Sequence, residues 1–251
     1  MTPRQHILQE LGFELARAGT ELHGSAAVVP EMCVPGTTSI RTSILAAWTD
    51  MTAGTLAVDL MDGRVPVTLE LDVHLYEPRQ ASRIHAVGRL LKAGRSVAVL
   101  TVDFTAEDGE PLAVGTGSFM AAPDVTLTLP STDDLLAAKL HNRGSRLSIP
   151  FAERARCERV EPGVAVLPRS DDGLNSSNTV NGGLIGLTVE EAVLSLSPGT
   201  TLSSLAMRYL QPARVGPVVA TAQVRGGLGQ VEVRDAGNED RLAVVATTRT
   251  F

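Results

Sequence analysis

The chain carries the same succession of elements twice, and that repeat limits its fold more than any single motif. A helix-like run at 39–60 (SIRTSILAAWTDMTAGTLAVDL) precedes four strand-like runs at 65–78, 82–94, 95–109 and 110–123. A second helix-like run near 181–197 precedes four more, at 200–214, 216–227, 229–240 and 241–251. The turns AGR and EDG carry the Gly and Asp of hairpin loops. One long helix followed by four antiparallel strands, seen twice, predicts an α+β fold of two tandem units, each a sheet wrapped on its own helix. Neither half has the strand–helix alternation of a doubly wound parallel sheet. The repeat divides the chain into an N-terminal unit (1–123), a linker (124–149) and a C-terminal unit (150–251). Within the linker, STDDLLAAKLH (131–141) opens on Ser131 as an N-cap and predicts a short helix. Residues 3–18 are read as an amphipathic helix, and 153–163 and 164–170 as early strands of the second unit.

Bulk properties narrow the partners. Hydrophobic residues make up 43% of the 251 and charged residues 20%, a balance that supports a real core. A net charge of −6 argues against nucleic acid, and 3% aromatics against base-stacking platforms. No apolar run approaches the roughly 20 residues that span a bilayer. The N-terminal stretch carries Glu10 and Glu14, unlike a signal peptide, and Cys33 and Cys157 fit no metal or disulfide spacing. A cytoplasmic location is expected. Histidines 6, 23, 74, 85 and 141 never fall at His-x-x-x-His spacing, so no metal is expected. There is no Gly-x-Ser-x-Gly elbow (GTGSFM lacks the final glycine) and no phosphate-binding glycine loop. Any catalysis falls to carboxylates, amides, hydroxyls and backbone.

The two helix-like runs supply candidates. Gly182 and Gly183 stand together at the second helix entrance, although glycine costs about 1 kcal/mol in a helix. Their presence implies close approach to the backbone. On the first helix, Ile40, Ile44, Trp48, Met51 and Thr55 form one stripe, read as the sheet-facing side. Ser43, Ala46, Ala47, Asp50, Ala53, Gly54 and Ala57 form another, made of small residues that other backbone could approach. Periodicity alone leaves Asp50 open between a solvated aspartate and a site acid. Glu190 occupies the equivalent position on the second helix, while Glu191 is read as a flanking surface charge. Asn178 and Asn181 are read as N-caps.

NSSNTVNGGLIGLTVEE (175–191), followed by SLAMRYLQPARVGP (204–217), resembles hotdog-fold acyl-CoA thioesterases of the PaaI and 4-hydroxybenzoyl-CoA type. VTLELDVHLYEP, LLKAGRSVAVLTVDF and LAVGTGSF resemble later strands of the same family, so the likeness covers nearly the whole chain twice. It implies a double hotdog whose two sheets join edge to edge, with composite sites between the units and no cofactor beyond the coenzyme A of the substrate.

Carried over residue by residue, the second half supplies Asn175, Gly182 and Gly183, with Asn181 where the family has His. The first half supplies Asp50 and, eighteen residues later, Thr68. The resemblance then implies that Gly182 N–H holds the thioester oxyanion at the helix N-terminus. Asp50 acts as general base or as nucleophile, a choice the sequence leaves open. Thr68 would hold the carboxylate or the water, and Asn175 the carbonyl or the water. The opposite combination is degenerate: Pro35 for Asn, Arg41 for His, Thr42-Ser43 for Gly-Gly, Glu190 as acid, and Leu202 at the hydroxyl position with Ser203 and Ser204 nearby. Lys92, Arg95 and Arg214 are candidates for the phosphates of coenzyme A, each weighed against a solvated surface charge. RGGLGQ is either a pantetheine contact or a turn.

The expected activity is hydrolysis of an acyl-CoA at one composite site, by a chain that also has the option of assembling into homo-oligomers. Two rivals stand beside it: a non-hydrolytic binder of acyl-CoA or acyl carrier protein and, last, a hotdog enoyl-CoA hydratase, whose Asp-x-Asn-Pro-x-His motif is absent.

Overall fold

The structure is a computed structural model that describes residues 6–140 and 147–251. His141, the last residue of the predicted 131–141 helix, therefore lies outside the described residues, as does the start of the predicted 3–18 helix. The first unit runs β1 (Glu14–Ala18), β2 (Glu21–Ala27), α1 (Thr42–Val58), β3 (Pro66–Leu75), β4 (Arg83–Ala93), β5 (Ala98–Ala106) and β6 (Pro111–Ala121). After α2 (Thr132–Leu140) come α3 (Phe151–Ala155), β7 (Glu158–Glu161), β8 (Val164–Leu167), α4 (Gly182–Leu196), β9 (Leu202–Tyr209), β10 (Val218–Arg225), β11 (Leu228–Asp235) and β12 (Arg241–Thr250).

All twelve strands form one antiparallel sheet, in the order β1-β2-β4-β5-β6-β3-β9-β12-β11-β10-β8-β7. The order reads the same from either edge once the second unit is mapped on the first, so a pseudo-twofold axis passes between β3 and β9. There Glu70 pairs with Arg208 and His74 with Ser204. The seam pairs one strand edge from each unit, which removes two free edges that would otherwise invite aggregation. Leu71, Val73, Leu205 and Met207 are fully buried on its inner face. On the other face Arg208 bridges Asp72 and Glu70.

Two sequence expectations fail near the start of each unit. Instead of a helix at 3–18, Ile7–Leu11 is a single 3₁₀ turn and β1 and β2 form a hairpin. Gly12, left-handed at φ 64°, ends the turn, and Leu22, Gly24 and Ala26 alternate inward along β2. Leu8, Leu11 and Leu15 mimic helical spacing, but a glycine at this conformation breaks it. In the second unit the run read as a strand from 153 begins with α3, which buries Phe151, and only then forms β7.

The sheet-facing side of α1 also differs from the expected stripe. Residues on the sheet side are Thr49, Thr52, Ala53 and Leu56, which fill the notches left by Gly88, Gly115 and Gly117 on the strands. Trp48 instead stacks on Phe13 of the N-terminal segment, ring centroids 4.8 Å apart. The backbone carbonyl of Thr55 accepts a hydrogen bond from Thr132 of α2. Because α1 is buried almost all round, its apolar residues do not mark a single side. The small-residue stripe does meet backbone: a Cβ on Gly183 would lie 2.6 Å from that of Ala47. Helices α1 and α4 thus lie side by side and antiparallel, each entrance against the middle of the other.

Candidate functional site

A cavity of about 630 Å³ opens between the units and brings together residues from both. From the first come Asp50 and Thr68; from the second, Asn175, Asn181, Gly182, Tyr209 and Arg214. Asp50, on the middle of α1, is half-buried, and its Oδ1 accepts a hydrogen bond of 2.8 Å from the Thr68 hydroxyl. Burial pushes the Asp50 carboxyl above its ordinary value, and the Thr68 hydrogen bond pulls the other way.

Thr68 reaches Asp50 because β3 carries a bulge. Leu71 pairs with Gly117 and Thr68 with Phe119, with the register shifting between Thr68 and Glu70. Without the extra residue, strand alternation would turn Thr68 to the opposite face from Leu71 and Val73. With it, the hydroxyl faces the helices. Replacing Thr68 with Val, which keeps the shape, removes the donor that favours ionised Asp50. The acidic limb of the rate profile should then move to higher pH while the plateau above it changes little. A pH–rate titration of both proteins checks this, and an unmoved limb would contradict it.

The entrance of α4 supplies the facing wall. Asn181 caps the helix, its Oδ1 accepting from Gly183 N–H at 2.8 Å. Among the described residues no partner takes up the N–H of Gly182, the first helical residue. An unpaired N–H at a helix N-terminus is an anion donor, reinforced by the helix dipole. Tyr209 closes over it, its hydroxyl donating to the Gly182 carbonyl at 3.2 Å, and a Cβ on Gly182 would meet that hydroxyl at 2.9 Å. Burial, with Asp50 nearby, raises the phenol well above its usual range, so it stays neutral. Sequence reasoning missed Tyr209: in YLQPAR it looks like any strand-end aromatic.

Other candidates find different places. Asn175 is exposed at the cavity mouth, but its Oδ1 is engaged by the N–H groups of Ser177 and Thr179, which makes it a turn residue on that side. Gly183 is buried against Ala47 with its N–H taken by the cap, so it shapes the helix contact rather than meeting a ligand. Arg214 is exposed at the mouth, on a loop pinned by Asp235, which accepts from the N–H groups of residues 214, 215 and 216. Lys92 and Arg95 do not line the cavity. They sit on the β4–β5 hairpin, three strands and about 14 Å across the sheet from Thr68. RGGLGQ is a two-residue hairpin turn in which Gly226 and Gly227 both have positive φ.

At the pseudo-symmetric position a second cavity, of about 510 Å³, is lined by Pro35, Arg41 and Glu191 but not by Glu190. Glu190 is fully buried and turned onto the entrance of α1, where it accepts from Thr42 N–H (2.9 Å), the Ser43 hydroxyl (2.7 Å) and Arg41 (3.1 Å). The acid itself therefore satisfies the entrance of the facing helix. Glu191 is not a surface charge: it is buried, 2.6 Å from both Arg41 and Arg159. Both cysteines are free thiols, and burial pushes Cys157 up to about 12. Among the described residues no three His, Cys, Asp or Glu side chains cluster as metal ligands, and no helix is long and apolar enough to cross a membrane.

Known structures share this architecture. The 12:0-ACP thioesterase of Umbellularia californica superposes with a TM-score of 0.65 at 12% identity, covering 94% of this chain and 99% of that one. A protein of Alicyclobacillus acidocaldarius, described by its hot dog fold, gives 0.63 at 15% identity over 99% and 98% of the two chains. The fold is a double hotdog. The TesB protein of Mycobacterium avium subsp. paratuberculosis is similar too, at 0.62 and 16% identity over 98% and 97%. Residues 43–113 of the double hotdog match the family model of the thioesterase superfamily. That span holds α1 and β3–β5, and with them Asp50 and Thr68. No curated protein matches the chain in sequence.

Proposed function

We propose that this double hotdog hydrolyses acyl thioesters, with coenzyme A as the thiol carrier, at the cavity between its units that holds Asp50. The observation that carries the reading is the opposition of two groups across that cavity: a carboxylate held by a hydroxyl on one unit, and an unpaired helix N-terminal N–H on the other. The thioester carbonyl oxygen takes the Gly182 N–H. Asp50 removes a proton from water as it attacks, a C–O bond forms, and negative charge collects on the oxygen at α4. Collapse breaks the C–S bond, and the proton passes to the departing thiolate. Direct attack by Asp50 through an anhydride uses the same residues. Arg214 at the mouth is the cation placed to meet a phosphate of the carrier.

The contrast with Glu190 favours hydrolysis over simple binding. On that side the carboxylate satisfies the helix entrance itself, whereas on the Asp50 side acid and donor are kept apart with space between them. Thiol release from a panel of acyl-CoA and acyl-carrier-protein thioesters tests the reading and separates the two carriers. Release from neither, with binding intact, would leave the non-hydrolytic alternative.

The donor has its own test. Proline is tolerated at the first position of a helix and removes the N–H, while alanine adds the same Cβ against Tyr209 but keeps it. Gly182→Pro should therefore be slower than Gly182→Ala by about 10²–10³-fold in kcat, the usual worth of one oxyanion donor. Equal rates would remove Gly182 N–H from the mechanism.

A further inference from the structure

The cavity has two arms that differ in chemistry. Toward the mouth it is lined by Asn175, Ser176, Ser177, Gln211 and Arg214. Away from Asp50 along α1 it is lined by Gly54 and Val58, with Val67 and Phe119 from the sheet. At its far end stand Leu127, Leu129 and Leu135, from the segment joining the units. Residues 127–132 of this segment are held in place. Leu129 N–H bonds Gly63, Val65 N–H bonds Leu127, and the Thr132 hydroxyl bonds the Thr55 carbonyl at 2.8 Å.

Asp50, Gly54 and Val58 are spaced by four residues and so share one face of α1. Gly54 sits in mid-helix, where glycine costs about 1 kcal/mol relative to alanine. Its φ is not positive, and the nearest atom to an added Cβ is Phe119 Cε1 at 3.4 Å, an ordinary contact. Neither backbone nor packing requires glycine there. What it provides is room beside Phe119, one turn beyond the acid, on the cavity wall.

We propose that this arm takes a linear acyl chain of about eight to twelve carbons, and that Gly54 is the residue that leaves room for a chain of this length. From Asp50 to Val58 the helix advances about 12 Å. An extended chain covers that distance in about ten bonds, at the advance per bond of a stretched backbone. The inference rests on the thioester reading for the ligand's head group, but the arm itself is testable by binding alone.

The experiment compares wild type, Gly54→Ala and Gly54→Leu. Calorimetry measures binding of free fatty acids from butanoate to hexadecanoate, and thiol release is measured from the matching acyl-CoA series. Wild type should prefer chains of about eight to twelve carbons over both shorter and longer ones. Gly54→Leu should lose about tenfold or more for decanoate, the scale of a few misfitted methylenes, with butanoate little changed. Gly54→Ala should be at least as stable as wild type and intermediate in profile, which guards against a folding artefact. An unchanged profile in Gly54→Leu, or an equal loss at every length, overturns the length assignment. Length-dependent binding lost in Gly54→Leu, without thiol release by wild type, upholds the arm and overturns hydrolysis instead.

Discussion

Asp50→Asn is expected to lower thiol release by about 10²–10⁴-fold, the usual contribution of a positioned base, without lowering the melting temperature at neutral pH. The second half of this expectation follows from linkage. Burial raises the Asp50 carboxyl above its unfolded value, so between the two values the folded protein binds more protons than the unfolded one. Asp50 therefore contributes stability below its unfolded pKa, and that contribution is lost as pH rises through the folded value. Where Asp50 is ionised, the native state carries a charge partly stripped of water. Asparagine carries none, and its amide oxygen still accepts from Thr68. Kinetics and thermal melts of the two proteins across pH check both halves. A mutant that was inactive because it was unfolded would contradict the account.

The opposite result is expected for Glu190→Ala: a loss of about 3–5 kcal/mol of stability, the range for breaking a buried charge pair from one side. Glu190 holds Arg41, the Thr42 N–H and the Ser43 hydroxyl, all inside the protein. Its removal leaves Arg41 with Glu191 alone and strips the cap from α1. For a chain of this length, that corresponds to a fall of about 6–20 °C in Tm. Glu190→Gln keeps an acceptor for the helix entrance and should lose less. Chemical denaturation of the three proteins measures the series. If Glu190→Ala melted like wild type, the network would not be holding the two helices together.

The repeat, the two long helices and the eight strands that follow them were legible because each has a period of its own: small and apolar residues along 42–58 and 182–196, alternation along β3–β6 and β9–β12. The opening of each unit was not. Leu8, Leu11 and Leu15 satisfy a helical period by chance, and only the left-handed Gly12 shows where the chain turns. The face of α1 was illegible for a different reason. A helix covered by sheet, partner helix and linker has no polar side from which to read orientation, and the notches that receive Thr49 and Thr52 are glycines on distant strands.

At the candidate site, family spacing singled out Asp50, Thr68 and Gly182, which line one cavity. It could not anticipate the β3 bulge that turns Thr68 inward, the Tyr209 hydroxyl over Gly182, or the linker's part in the cavity wall. Each of these depends on contacts between segments far apart in sequence. Lys92 and Arg95 attracted notice by charge alone, and charge does not show which strand end a hairpin occupies.

One side-by-side assay goes to the heart of the proposal: thiol release from a medium-chain acyl-CoA by wild type, Asp50→Asn and Glu190→Gln at matched folded concentrations. The account predicts near-complete loss in Asp50→Asn and a rate close to wild type in Glu190→Gln. Loss in Glu190→Gln with full activity in Asp50→Asn would put the chemistry on the other side of the pseudo-twofold axis.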